Sequence, residues 1–178
     1  MSKNIEIKAR YPDLEKAENI ARRLGAKFLG KDFQTDTFFN APKGRLKLRE
    51  SSLSGTILIP YLRSDQKEAK EARYVLLPVK DVSTTKALFS EILGERLIVE
   101  KTRRIYLLEN IRIHLDEVKD LGNFLEFEAV IDAKHPEEES QATLDELLKK
   151  FGVEVEHLIA GAYADLLQEK LNSEGNNV

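Results

Sequence analysis

The chain opens on an unbroken alternation. From Asn4 to Arg10, Ile5, Ile7 and Ala9 alternate with Glu6, Lys8 and Arg10. Successive side chains of a strand point to opposite faces, so an apolar face and a charged face are predicted from the start. The same period of two marks strands over 45–49, 97–108, 111–117 and 124–131, and further strand-like runs cover 28–40, 55–63 and 73–80. Helical spacing takes over between them. Asp13 is placed to cap a first helix, in which Leu14, Ala17, Ile20, Ala21 and Leu24 recur before Gly25. A second helix, capped by Ser83 or Thr84, carries Leu88, Ile92 and Leu93 up to Gly94. A third starts near Pro136, carries Leu144, Leu147, Leu148 and Phe151, and stops at Gly152; a fourth covers about 160–171. Turns fall at 41–44, 109–110 and 119–123, and 64–72 reads as a polar, mobile loop.

About eight strands, with helices set between groups of them, predict an α+β fold with a mostly antiparallel sheet. A sheet of that size removes its edges by closing into a barrel. The chain is expected to form a single domain over 1–172, followed by a disordered tail over 173–178. The order helix, Leu-Gly, strand, turn, charged strand at 14–49 recurs at 84–117, which points to an internal duplication.

The charged face of the first strand is repeated. Arg45, Lys47 and Arg49 share a face, as do Lys101 and Arg103, then Arg112, His114 and Asp116, then Glu126 and Glu128. One such strand is what a wet sheet face looks like. Five of them, nearly free of Thr, Ser and Gln, read differently. The helices need an apolar sheet face to pack on, so the apolar side chains are expected to face outward and the charges to line a lumen. Charges inside a barrel must be paired or serve a ligand. Arg and Lys suit phosphate oxygens, and carboxylates without cysteine suit a hard cation such as Mg²⁺ or Mn²⁺. Together they describe a polyphosphate site.

Composition narrows the partners. Charged residues make up 33% of the chain, yet the net charge is only -3, which argues against a protein that coats nucleic acid. There is no cysteine, hence no disulfide and no thiolate site. No signal-like or membrane-spanning apolar run is present, so a cytoplasmic protein without a membrane partner, monomeric or homodimeric, is expected.

Five segments carry a family resemblance: 4–10, 34–39 (Gln-Thr-Asp-Thr-Phe-Phe), 44–49, 112–118 and 121–128. In this order they resemble the CYTH superfamily, the triphosphate tunnel metalloenzymes, which includes class IV adenylate cyclases, thiamine triphosphatases and inorganic tripolyphosphatases. The resemblance implies an eight-stranded antiparallel β-barrel, helices packed outside it, and a triphosphate bound in the tunnel with Mg²⁺ or Mn²⁺. It implies catalytic roles for Glu6, Lys8, Lys101 and Asp116. It also implies phosphate binding by Arg10, Lys47, Arg49, Arg63, Arg103 and Arg112, and metal binding by Glu6, Glu126, Glu128 and Asp116. Hydrolysis of tripolyphosphate, thiamine triphosphate or another organic triphosphate, cyclisation of ATP, and binding without turnover all fit such a tunnel. The family signature opens Glu-x-Glu-x-Lys, and here Asn4 stands in place of the first acid. An amide oxygen can ligate a metal but brings no charge. His114 reads as a structural or a catalytic histidine, Asp36 as a site residue or a strand-bend cap, and Tyr61 and Tyr74 as packing or stacking residues.

Overall fold

The computed structural model of the chain describes residues 2–63 and 70–175, and the side chains of 4–62 and 73–175. Its elements are β1 (Ser2–Arg10), α1 (Leu14–Arg23), β2 (Lys27–Phe39), β3 (Arg45–Ser51), β4 (Gly55–Arg63), β5 (Lys70–Tyr74) and β6 (Leu77–Pro78). There follow α2 (Val82–Leu93), β7 (Glu95–Leu108), β8 (Ile111–Val118), β9 (Gly122–Val130), α3 (Glu137–Phe151), a 3₁₀ turn (Val155–His157) and α4 (Tyr163–Gly175).

Every strand pairing is antiparallel, in the order β3-β2-β7-β8-β9-β1-β5-β4. Pairing of β3 with β4 joins the two ends of that order, so eight strands form the barrel. The two-residue β6 adds a short extension on β4. β2 and β7 run side by side from Lys27–Leu107 to Phe39–Glu95. They set α1-β2-β3 beside α2-β7-β8, the two stretches in which the order of elements repeats. Leu29 is the extra residue of a bulge in β2, between the pairs Phe28–Tyr106 and Gly30–Ile105.

The outward apolar faces of β1, β8 and β9 form the main core. Ile5, Ile7, Ile113, Leu115, Leu125 and Phe127 pack there beneath Leu14, Ala17 and Ile20 of α1 and Leu144, Leu147 and Phe151 of α3. Burying each of these larger side chains contributes about 1.5–3 kcal/mol. α1 begins at Asp13, whose carboxylate accepts from Lys16 N at 2.9 Å. α3 ends at Gly152, whose φ of 67° is the left-handed conformation that glycine takes without a Cβ penalty.

The second core lies inside the barrel, at one end. The inward residues Phe38, Val99, Val118 and Phe124 pack there on Ile159, Ala162, Tyr163 and Ala164, at and before the start of α4. Arg45 and Arg96 both reach Asp165 of α4, at 2.7 and 3.0 Å, and tie the helix to the barrel.

Several sequence expectations need correction. The cap of α2 is Asp81, which accepts from Thr84 N, because the helix begins at Val82 and already includes Ser83 and Thr84 in its first turn. α2 buries none of its residues and touches the barrel through Phe89 on Phe39, at 5.5 Å between ring centroids. The strand expected at 73–80 is split: β5 starts earlier, at Lys70, and only Leu77–Pro78 pairs beyond Tyr74. The loop expected at 64–72 falls mostly outside the described residues. α4 continues to Gly175, so 173–175 are helical rather than tail, and 176–178 lie outside the described residues.

Candidate active site

The barrel encloses a cavity of about 430 Å³. Alternation in the strands supplies its polar lining: Asn4, Glu6 and Lys8 from β1, Asp32, Gln34 and Asp36 from β2, Lys47 and Arg49 from β3, Lys101 and Arg103 from β7, Arg112 and His114 from β8, and Glu126 and Glu128 from β9. Ala162 and Tyr163 line its closed end. The charged faces therefore point inward, as the outward demand of the helices for apolar partners requires.

Three cations share one carboxylate toward the closed end. Asp36 accepts from Arg49 Nε and Nη2 at 2.7 and 2.6 Å and from Lys47 Nζ at 2.9 Å, while Lys101 Nζ lies 3.8 Å away. Burial works to raise the Asp36 carboxyl, but Arg49, Lys47 and Lys101 outweigh it and hold it well below its ordinary value. The cations bear the opposite stress. Burial, then the Arg49 charge, push the Lys47 ammonium down to about 8 against the pull of Asp36. Burial, then Arg103 and Arg49, push Lys101 well below its ordinary value. Positive charge at this end exceeds the negative charge that holds it, which is the condition an arriving polyanion relieves.

A second network runs along β7, β8 and β9. Arg103 grips Asp116 with two bonds of 2.6 Å and reaches Glu126 at 3.0 Å. Glu126 also meets Lys8 at 3.1 Å and His114 Nδ1 at 2.9 Å. Burial would raise its carboxyl, and the charges of Lys8 and Arg103 bring it well below the ordinary range. Glu128 accepts from Arg112 at 3.1 Å and from the Asn4 amide, with His114 Nε2 3.8 Å away. Tyr163 donates to Asp116 at 2.6 Å, and its ring lies under Lys8 Nζ, 4.1 Å from the centroid.

Among the described residues, two buried acceptors that line this cavity have no partner: Asn4 Oδ1 and Gln34 Oε1. Their orientation is fixed chemically, because the Asn4 amide nitrogen donates to Glu128 and the Gln34 amide nitrogen donates to Asp32 at 2.6 Å. Each leaves an oxygen in need of a donor or a cation.

The structure brings Glu6, Lys8, Lys47, Arg49, Lys101, Arg103, Arg112, Glu126 and Glu128 to the cavity. It does not bring Asp116 or Arg10 there. Asp116 has no exposed surface and is covered by Arg103 and Tyr163, so it orients Arg103 and stands behind the wall. Arg10 lies past the apolar end, exposed, with its guanidinium over Phe124 and 3.4 Å from Leu121 O. The side chain of Arg63 lies outside the described residues. Among the described residues, no three Asp, Glu or His side chains converge as a ready metal cluster. The oxygens that the lining offers a hard cation are those of Glu6 and Glu128, paired across β1 and β9, of Glu126, and Asn4 Oδ1, with Glu126 and Glu128 turned here toward Arg103, Lys8 and Arg112.

Sequence reasoning passed over Asp32, Gln34 and Tyr163. The first two follow from the period of two once Asp36 is placed inward. Tyr163 carries no such signal, because it enters from a helix that fills the barrel end.

The CYTH domain family matches residues 2–163. A protein of Methanocaldococcus jannaschii named as a candidate adenylate cyclase is 26% identical over 170 residues, covering 91% of this chain and 97% of that one. The structure of a Pyrococcus horikoshii protein superposes with a TM-score of 0.79 at 27% identity, over 93% of this chain and 99% of that one. A Hippeastrum structure, described as a candidate adenylyl cyclase with a dominant triphosphatase activity, shares the fold at 14% identity and a TM-score of 0.61, over 91% of this chain and 92% of that one. With the tunnel lined by inward charges and the family matched across nearly its full length, the chain belongs to the CYTH family.

Proposed function

We propose that this protein binds a triphosphate along the barrel and hydrolyses it with the help of a divalent cation. The observation that carries the reading is the group of three cations, Lys47, Arg49 and Lys101, around the single carboxylate of Asp36 at the closed end of the cavity. The terminal phosphoryl goes to that end, where these groups neutralise the charge that develops on its oxygens. Lys8 and Arg103 serve the middle of the chain and Arg112 the end nearer the mouth. Asp116 and Tyr163 keep Arg103 in place, so its guanidinium is already oriented before the substrate arrives. Glu6, Glu126, Glu128 and Asn4 Oδ1 would hold Mg²⁺ or Mn²⁺, which would neutralise charge on the phosphate chain. The triphosphatase activity ascribed to the Hippeastrum protein supports hydrolysis.

The name of the archaeal relative favours a second reading, cyclisation of ATP with release of pyrophosphate. The test is a panel of tripolyphosphate, thiamine triphosphate and ATP with Mg²⁺ or Mn²⁺, read for orthophosphate, pyrophosphate and cyclic AMP. Orthophosphate release that EDTA stops supports the hydrolase. Cyclic AMP with pyrophosphate moves the assignment to a cyclase. Binding that EDTA leaves unchanged, without product, makes the tunnel a polyphosphate-binding module. Glu126→Gln is expected to remove metal-dependent turnover while a folded barrel remains by circular dichroism.

A further inference from the structure

One wall of the cavity plays no part in holding phosphate. Leu29, Leu53, Ile57, Leu76 and Ile105 supply apolar lining to the cavity, and none of them belongs to the apolar core at its closed end. The strand register makes most of them one surface. Ile105 pairs with Gly30, beside the bulged Leu29, and Ile57 pairs with Arg49. Leu53 lies on Gly30 so closely that a Cβ added there would stand 2.9 Å from its methyl carbon. The surface is therefore continuous with the cations: Ile57 neighbours Arg49 across β3 and β4, and Ile105 lies two residues from Arg103 on the same face of β7.

It is also exposed. Leu29 and Leu53, brought together at Gly30, leave 47% and 54% of their surface to solvent, and Leu76 leaves 51%, apolar surface that a ligand can cover. Of the polar groups near its border, Asp32 and Ser54 are already engaged, while Gln34 keeps its Oε1 without a partner among the described residues. Asp32 accepts from Ser51, Ser52, the Leu53 amide and Gln34, and the Ser54 hydroxyl donates to Ser51.

We infer that the substrate is an organic triphosphate whose organic group is a hydrocarbon chain lying on this wall. The inference rests on the triphosphate reading above and specifies what the far end of the ligand carries. A ribose and base would need hydrogen-bond partners where the wall offers methyl groups. An alkyl chain needs none, and it covers the exposed leucines while its phosphates occupy the cations.

The test measures binding of tripolyphosphate, methyl triphosphate, hexyl triphosphate and ATP by calorimetry, with Ca²⁺ present. Burying a methylene tightens binding about fourfold. On a half-open wall, hexyl triphosphate is expected to bind about tenfold to a hundredfold tighter than the methyl ester, and tighter than ATP. Leu53→Asn and Leu76→Asn, both on the surface, are expected to erase that gain and leave tripolyphosphate affinity within about twofold. Equal affinity for the methyl and hexyl esters beside normal tripolyphosphate binding overturns this inference alone, as does a preference for ATP. If no triphosphate binds, the inference falls together with the triphosphate reading.

Discussion

Asp36 is the residue on which the closed end depends. Three cations converge on it, so Asp36→Asn leaves Lys47, Arg49 and Lys101 facing one another with no anion between them. Removing one partner from a buried ionic group costs about 3–5 kcal/mol. The variant is expected to melt well below the parent, and tripolyphosphate is expected to recover more of its melting temperature than of the parent's. Equal stabilisation of both by the ligand would show that the cations are not a phosphate site. Lys47 supplies a second test. Its ammonium is held at about 8, and a polyanion raises it again. Binding near pH 8 should therefore take up protons, and affinity should fall as pH rises through 8. Calorimetry in two buffers of different ionisation enthalpy measures the uptake directly; identical heats would refute it.

At the scale of elements, the alternation of charge and methyl groups marks β1, β3, β8 and β9 in the sequence alone, because a wet or lined face repeats every second residue whatever the fold. It could not say which inward residues belong to the cavity. Arg10 and Arg45 share faces with cavity residues, yet α4 fills the barrel at their level, one lying exposed past Phe124 and the other bound to Asp165. α1 is fastened to the barrel by a polar contact as well as by its apolar stripe. Glu18 accepts from Tyr106 at 2.6 Å, from Arg22 of its own helix, and from Arg104. The Tyr106 and Arg22 hydrogen bonds, in that order, and then Arg104 bring its carboxyl from 4.5 to about 2 against a modest opposing effect of burial. A depressed carboxyl stabilises the fold above its unfolded value, and that share is lost as pH falls from about 4.5 toward 2. After allowance for solvent screening it is about 1 kcal/mol. Glu18→Gln is expected to be destabilised by that amount at pH 7, with the gap narrowing as pH falls toward 2. A gap that does not change with pH would assign the loss to packing instead.

At the scale of the molecule, the barrel rests on a division the sequence already carries: apolar residues outward under α1 and α3, charges inward. The asymmetry of its interior was not legible, since it comes from a helix more than thirty residues beyond the last strand's start folding back to fill one end. That stopper has a kinetic consequence. A ligand that can enter only from one side is read from its terminus, so a long polyphosphate would be shortened from its ends and one with both ends esterified by bulky groups would be spared. With the terminal phosphoryl innermost, the orthophosphate it becomes sits behind the remaining diphosphate. The diphosphate must leave first and orthophosphate last, so orthophosphate is expected to compete with substrate for the empty enzyme. Initial rates with added orthophosphate, plotted against substrate, would reveal that order; a pattern in which the diphosphate alone competes would mean that the molecule has a second exit.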